Sequence, residues 1–190
     1  MVRFLFLMAC MVGMILPTQA QRLIPKQKGI EVTYSLPIVK GESLFAGNDF
    51  GLGLSLTKYL AHENYTFVTA EYERQSLPYR TYRVKMQDVL LHWGYMHPIL
   101  SDKGRNVLVY SGVSVLAGYE ELNEDKTLLP DGATLLDRSR FVYGGAAHLS
   151  VECFITDRML LLVKARGRLL FGSDLHVFRP ALSAGLRFHL

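Results

Sequence analysis

Phe50-Gly51-Leu52-Gly53-Leu54-Ser55-Leu56-Thr57 is the stretch on which the fold turns. Phe50, Leu52, Leu54 and Leu56 fall on one side of an extended chain, and Gly51, Gly53, Ser55 and Thr57 fall on the other. Successive strand side chains point to opposite faces, so a period of two over this length marks a strand with one apolar and one polar face. The C-terminus repeats the pattern: Leu182, Ala184, Leu186, Phe188 and Leu190 oppose Ser183, Gly185, Arg187 and His189. Between these ends Val68, Ala70 and Tyr72 oppose Thr69, Glu71 and Glu73, while Val89, Leu91, Trp93 and Tyr95 oppose Leu90, His92, Gly94 and Met96. Phe141, Tyr143, Gly145, Ala147, Leu149 and Val151 oppose His148, Ser150 and Glu152; Leu161, Val163 and Ala165 oppose Lys164, Arg166 and Arg168. Eight strands are expected, near 28–36, 49–58, 65–74, 86–97, 106–119, 140–155, 159–171 and 177–190. Helical periodicity is nowhere sustained for three turns, and beyond residue 20 no apolar run is long enough for a helical membrane span.

Two all-β architectures suit such a chain, a soluble sandwich and a transmembrane barrel. Sandwich strands run about 5–6 residues, whereas tilted membrane strands need about 9–11. Most of the segments are longer than sandwich strands. A basic stripe in mid-strand also fits a barrel lumen, where polar side chains pair with one another while the alternate residues meet lipid. The expectation is an all-β, eight-stranded antiparallel transmembrane β-barrel of the outer-membrane type. Its polar lumen would be structural, with Glu71, Glu73 and Glu152 partnering Lys164, Arg166, Arg168 and Arg187, and His148 lying among them.

Residues 4–16 form an unbroken apolar run behind Arg3, ended by Pro17 and followed by Thr18-Gln19-Ala20. This has the organisation of a cleaved secretory signal over 1–20, leaving 21–190 as one barrel domain. The run would rise only about 20 Å as a helix, short of a hydrocarbon core of about 30 Å, which disfavours an anchor. Leu7-Met8-Ala9-Cys10 only faintly resembles a lipoprotein signal. Removal of the leader takes Cys10 with it and leaves Cys153 as the one thiol, so no intrachain disulfide and no cysteine-based metal site is expected. The leader also explains part of a mean hydropathy of +0.15, high for a soluble surface and low for a helical membrane protein. The alternating strands explain the rest.

With both termini in the periplasm, short turns fall at 59–64, 98–105 and 156–158, and outer loops at 37–48, 75–85, 120–139 and 172–176. On average the second set is longer, as outer-membrane barrels require. Loop 120–139 carries Glu120, Glu121, Glu124, Asp125, Lys126 and Asp131, a candidate surface for partner contact. Aromatics divide into two girdles: Tyr59, Tyr65, Trp93, Tyr95 and Phe188 towards the periplasm, and Phe50, Tyr72, Tyr119, Phe141, Tyr143, Phe171 and Phe178 towards the outside.

His148-Leu149-Ser150-Val151-Glu152 sets a base, a hydroxyl and a carboxylate on one face, the raw material of a hydrolase. Outer-membrane lipid deacylases carry a His-x-Ser pair on a barrel strand. Here, however, Leu149 and Val151 take the lipid face, and strand residues two apart are separated by about 7 Å. A packed interior is the favoured reading, with no catalytic residue and no cofactor. The histidines show no metal-ligand spacing, and no metal site is expected. A net charge of +4 without a Lys/Arg run gives no nucleic-acid-binding tract, and no direct nucleic-acid contact is expected.

From about residue 21 to 190 the chain resembles the TraO family, conjugal-transfer proteins of Bacteroides-type conjugative transposons. The resemblance lies in Gln21-Arg22 followed by Lys28-Gly29-Ile30-Glu31, in Pro78-Tyr79-Arg80, and in Leu116-Ala117-Gly118-Tyr119-Glu120. It continues through Leu128-Leu129-Pro130-Asp131-Gly132-Ala133-Thr134-Leu135, Phe141-Val142-Tyr143-Gly144-Gly145-Ala146 and Ala165-Arg166-Gly167-Arg168. It brings no catalytic residues. What it implies is a component of a type IV secretion-like conjugation apparatus, in contact with outer-membrane lipid and other conjugal-transfer proteins. An eight-stranded barrel is filled by its own side chains, so such a component would serve as a scaffold and not as a DNA conduit. The competing expectation is a stand-alone barrel acting as an adhesin or envelope stabiliser.

Overall fold

The computed structural model describes residues 23–38, 49–79, 82–122, 139–173 and 177–190. The expected signal at 1–20 and the loop residues Glu124, Asp125, Lys126 and Asp131 lie outside them. Eight strands follow one another: β1 (Lys28–Pro37), β2 (Phe50–Tyr59), β3 (Tyr65–Tyr79), β4 (Tyr82–Ser101), β5 (Val107–Leu122), β6 (Ser139–Thr156), β7 (Met159–Phe171) and β8 (Phe178–His189). Each pairs antiparallel with the next, and β8 returns to β1 through pairs such as Glu31↔Arg187 and Thr33↔Gly185, closing the barrel. Closure leaves no unpaired sheet edge, the condition for strands to cross lipid.

Alternation in sequence becomes alternation of environment. Leu56 is 61 % exposed, Trp93 64 % and Val163 51 %, whereas Ser55, Thr57, His92 and Arg168 are buried in the lumen. The apolar belt therefore faces outward and the charged groups face inward, the inverse of a soluble core. The start of β1 and the end of β8 share one end of the barrel with the short turns at 60–64, 102–106 and 157–158. This is the periplasmic end in the orientation of outer-membrane barrels.

Two expectations about height are corrected. Of the outer loop expected at 75–85, residues 75–79 and 82–85 are strand, because β3 and β4 stay paired up to Tyr79↔Tyr82. The loop expected from 120 begins later, since β5 runs to Leu122 and pairs Glu120↔Arg140 and Glu121↔Ser139. Once two neighbouring strands are paired in the barrel, the ladder continues past the membrane without needing an apolar face. Polarity therefore misplaces its end.

The lumen also holds apolar packing. Tyr59, Tyr65, Phe67, Met96, Leu108 and Tyr110 form one buried cluster at the periplasmic end, with Leu23 and Phe154 against it. Leu90, Leu116, Val142, Ala146 and Leu170 form a second, on the inner face of β4 to β7. Tyr59 and Tyr65 thus leave the girdle expected for them. They share strand parity with Thr57 and Phe67, and parity, not height, decides which side of the wall a residue occupies. Two inward glycines allow close backbone approach: a Cβ on Gly144 would meet the Leu169 carbonyl oxygen at 1.8 Å, and one on Gly118 that of Val89 at 2.0 Å.

Candidate functional site

In a ring of eight strands β3 lies opposite β7, and the main polar feature of the lumen spans that diameter. The inward residues of β7 ascend as Lys164, Arg166 and Arg168; the two arginines meet carboxylates of β3 across the barrel, and Lys164 meets one on β1, two strands away. Lys164 Nζ donates to Glu31 Oε1 on β1 at 2.5 Å. Arg166 donates both terminal nitrogens to the two oxygens of Glu71, each at 2.5 Å. Arg168 donates to Glu73, which also accepts from Gln75 Nε2. Arg166 lies 3.7 Å from Glu73 as well, joining the upper rungs. His92 Nε2 stands 3.1 Å from Glu71 Oε2. Buried charges are tolerated only with partners, and each rung of this ladder supplies one.

Below the ladder Arg187 of β8 is enclosed completely. Its Nε and Nη2 donate to Glu31 Oε2 at 3.0 and 2.7 Å. Its Nη1 and Nη2 also form a two-pronged contact with Glu152, at 2.7 and 3.0 Å. Tyr59 and Tyr65 hydroxyls accept from it at 2.6 and 2.9 Å, and Tyr65 in turn donates to Glu152 at 2.6 Å. The guanidinium sits 4.3 Å from the Tyr65 ring centroid, a cation–π distance.

Above the ladder Arg179 of β8 reaches Asp88 Oδ2 on β4 at 3.1 Å and Glu120 Oε2 on β5 at 2.6 Å. Ser173 Oγ bonds to both Arg179 and Glu120, at 2.7 Å. Glu120 is therefore a fully buried lumen carboxylate and not part of a contact loop. Its neighbour Glu121, one residue along the strand, is half-buried on the opposite face. Here Asp88 Oδ1 is buried with no hydrogen-bond partner, as are Glu73 Oε2, Arg166 Nε, and Arg168 Nε and Nη1 in the ladder, and both ring nitrogens of His189 at the periplasmic end.

His148 and Ser150 both point inward, and they are not joined to each other. His148 Nε2 is 2.8 Å from Ser114 Oγ, while Ser150 donates to Glu152 at 3.3 Å. The lumen space beside His148, His92, Lys164 and Arg166 measures about 30 Å³, about one water molecule. Among the described residues no His, Cys, Asp and Glu cluster could hold a metal ion. Cys153 is a free thiol, half-buried on β6.

Sequence reading named Glu71, Glu73, His148, Glu152, Lys164, Arg166, Arg168 and Arg187 for the lumen, and the structure brings them together there. It missed Glu31, Asp88 and Arg179 and misplaced Glu120. Parity alone could have found them. Glu31 is in phase with Thr33 and Ser35, Asp88 with Leu90 and His92, and Arg179 with Ser183 and Arg187.

The periplasmic mouth has a different character. A recess of about 360 Å³ is lined by Leu23, Ile24, Pro25, Tyr59, Leu60, His62, Glu63 and Arg105. Lys26, His62, Glu63 and Arg105 carry φ values of 74°, 59°, 62° and 52°, and they are the non-glycine residues with positive φ among those described. Such conformations cost about 1–2 kcal/mol per residue and persist only where surrounding contacts fix them. Here Tyr110 donates its hydroxyl to the Glu63 carbonyl at 3.1 Å, and Arg105 Nη1 contacts the Glu63 carboxylate at 2.5 Å. Asn64 Nδ2 donates to the Ala61 carbonyl at 2.8 Å, and His97 Nδ1 lies 2.7 Å from Asn64 Oδ1. In the next turn Asp102 accepts from Val107 and Gly104 backbone N–H groups, which hold its carboxyl below the usual range.

An all-antiparallel closed barrel with an apolar wall and a packed ionic lumen defines the class, a small outer-membrane-type β-barrel. Solved structures agree on the fold. Ail, the attachment invasion locus protein of Yersinia pestis, solved with the heparin analogue sucrose octasulfate, has a TM-score of 0.56 at 9 % identity, over 88 % of this chain and 100 % of its own. Neisserial surface protein A has a TM-score of 0.50 at 15 % identity, over 85 % of this chain and 95 % of its own. The model of the family described as conjugative transposon protein TraO matches residues 24–190, and the chain belongs to that family. None of the curated proteins compared matches the sequence.

Proposed function

We propose that this chain is a non-enzymatic outer-membrane scaffold of a conjugative transposon's type IV secretion-like transfer apparatus. The observation that carries the reading is the filled lumen. Cross-barrel ion pairs occupy the bore, and the space beside them is about 30 Å³. One barrel so filled has no room for a DNA strand. A role in transfer then falls to its surfaces: the apolar wall in lipid, the outer loops and the periplasmic mouth. Membership of the TraO family supports the transfer role, and the apolar wall supports an outer-membrane location. The non-enzymatic reading is supported by His148 and Ser150 being spent on Ser114 and Glu152 inside the wall.

Deleting 124–132 tests the loop version of this reading. Mating frequency should fall at least tenfold while the barrel keeps its heat-modifiable migration in detergent. Unchanged transfer removes that loop from the mechanism. An adhesin or envelope-stabiliser role instead predicts normal mating from a donor lacking the whole chain, with altered cell attachment or detergent sensitivity.

A further inference from the structure

We propose that the outer wall carries a binding site for one anionic phospholipid of the periplasmic leaflet, its phosphate held by Lys28 and Lys58 and an acyl chain lying against Trp93. The site goes beyond the scaffold role and rests only on the barrel lying in the outer membrane. Register builds its charged end. Lys28, at the start of β1, and Lys58, near the end of β2, are direct partners in the ladder. Both are exposed, and both are in phase with the lipid-facing Ile30 and Leu56. Like charges set directly opposite each other repel, and an anion between them removes that cost. Among the described residues neither lysine has a carboxylate partner, and Glu63, in the turn after β2, is engaged by Arg105.

The same row continues through the pairs Lys58↔Thr66 and Thr66↔Tyr95. A hydroxyl and a phenol thus stand on strands one and two spacings from Lys58, within about 10 Å of it. Beside this row a groove of about 450 Å³ opens on the wall. Trp93, Tyr95, Val113 and Val115 form its sides and Thr66 borders it, while Gly94 and Ser114 point inward and leave their backbone as its floor. The groove runs from the Tyr95↔Val113 pair to the Trp93↔Val115 pair, away from the periplasmic turns and into the apolar belt. A lipid whose phosphate lies between the lysines has its chains pointing the same way. Basic side chains at the edge of an apolar membrane surface recognise anionic headgroups, and aromatic residues seat them at the interface. A zwitterionic lipid would bring its own cation towards the two lysines, so charge complementarity selects the anionic one.

Trp93 is the single tryptophan of the chain, so its fluorescence reads this site. The chain, purified from the cell envelope, is placed in phosphatidylcholine vesicles holding the same small fraction of brominated-chain phosphatidylglycerol or brominated-chain phosphatidylcholine. Bromine quenches an indole it touches, and phosphatidylglycerol should quench Trp93 as though enriched about threefold or more beside it. Lys28→Gln with Lys58→Gln should bring the two lipids level. Lys103→Gln with Arg158→Gln removes the same charge from exposed turns at that end and should leave the preference intact. Equal quenching by both lipids in the wild type overturns the proposal. So does a preference that survives the Lys28 and Lys58 changes, or one lost equally in the Lys103 and Arg158 variant, which is diffuse charge attraction and not a site. A Trp93 that neither lipid quenches in an inserted barrel is covered by protein, and that result overturns it too. A chain without heat-modifiable migration in detergent sinks the membrane-barrel reading itself, and the site with it.

Discussion

The two ends of the lumen solve one problem to different degrees. At the periplasmic end Arg187 lies between Glu31 and Glu152, with two tyrosine hydroxyls completing its contacts. At the outer end Arg179 serves Asp88 and Glu120, while Asp88 Oδ1 has no hydrogen-bond partner. Buried charge is stabilising only when its hydrogen-bonding capacity is met. The lower cage should therefore behave as the rigid anchor of the barrel. The upper cluster, closer to the loops, should tolerate change.

Arg187→Met attacks the anchor directly: it leaves the buried Glu152 without its cation and Glu31 with Lys164 alone. A loss of about 3–5 kcal/mol is expected, read from urea unfolding of the folded barrel in lipid. Arg168→Met should cost about 2–4 kcal/mol, and adding Glu73→Gln should recover much of it, because the second change neutralises the stranded carboxylate. Arg179→Met should cost less, about 1–3 kcal/mol. A loss equal to that of Arg187→Met would erase the contrast between the ends. Tyr65→Phe removes one hydroxyl from the cage and should cost about 1–2 kcal/mol, and a neutral result would show that the ion pairs suffice without it.

The smallest effect lies outside the membrane, at Asp102. Its carboxyl is held low by backbone amides, so its contribution is fully present above the ordinary carboxylate pKa and fades as pH falls through the lowered value. The group is largely exposed, so Asp102→Asn should cost about 1 kcal/mol or less and remove that acid-side slope from the unfolding profile. An equal slope in wild type and variant would assign the acid sensitivity to the lumen instead.

Strand number, antiparallel order and the inside-out character of the wall were legible because each depends on a local period of two. Leu52, Leu54 and Leu56 announce their face whatever the rest of the chain does. Glu71 and Arg166 were legible as lumen residues for the same reason. The partners were not: Lys164 meets Glu31 because closure sets β1 two strands from β7, and Arg179 meets Asp88 and Glu120 because closure sets β8 opposite β4 and near β5. Glu120 was misplaced because a polar run reads as loop although its neighbours keep the ladder paired. Tyr59 and Tyr65 were misplaced because height was allowed to outrank parity.

The sequence by itself determined an eight-stranded barrel with a lipid-facing stripe and a charged stripe, since side-chain alternation is fixed by strand geometry one residue at a time. Only the tertiary structure decided that Arg187 is caged between Glu31 and Glu152, and that His62, Glu63 and Arg105 gather around a recess with Leu23 and Ile24. Those facts depend on register and closure, which bring together residues from 35 to 156 positions apart and are written in no local pattern.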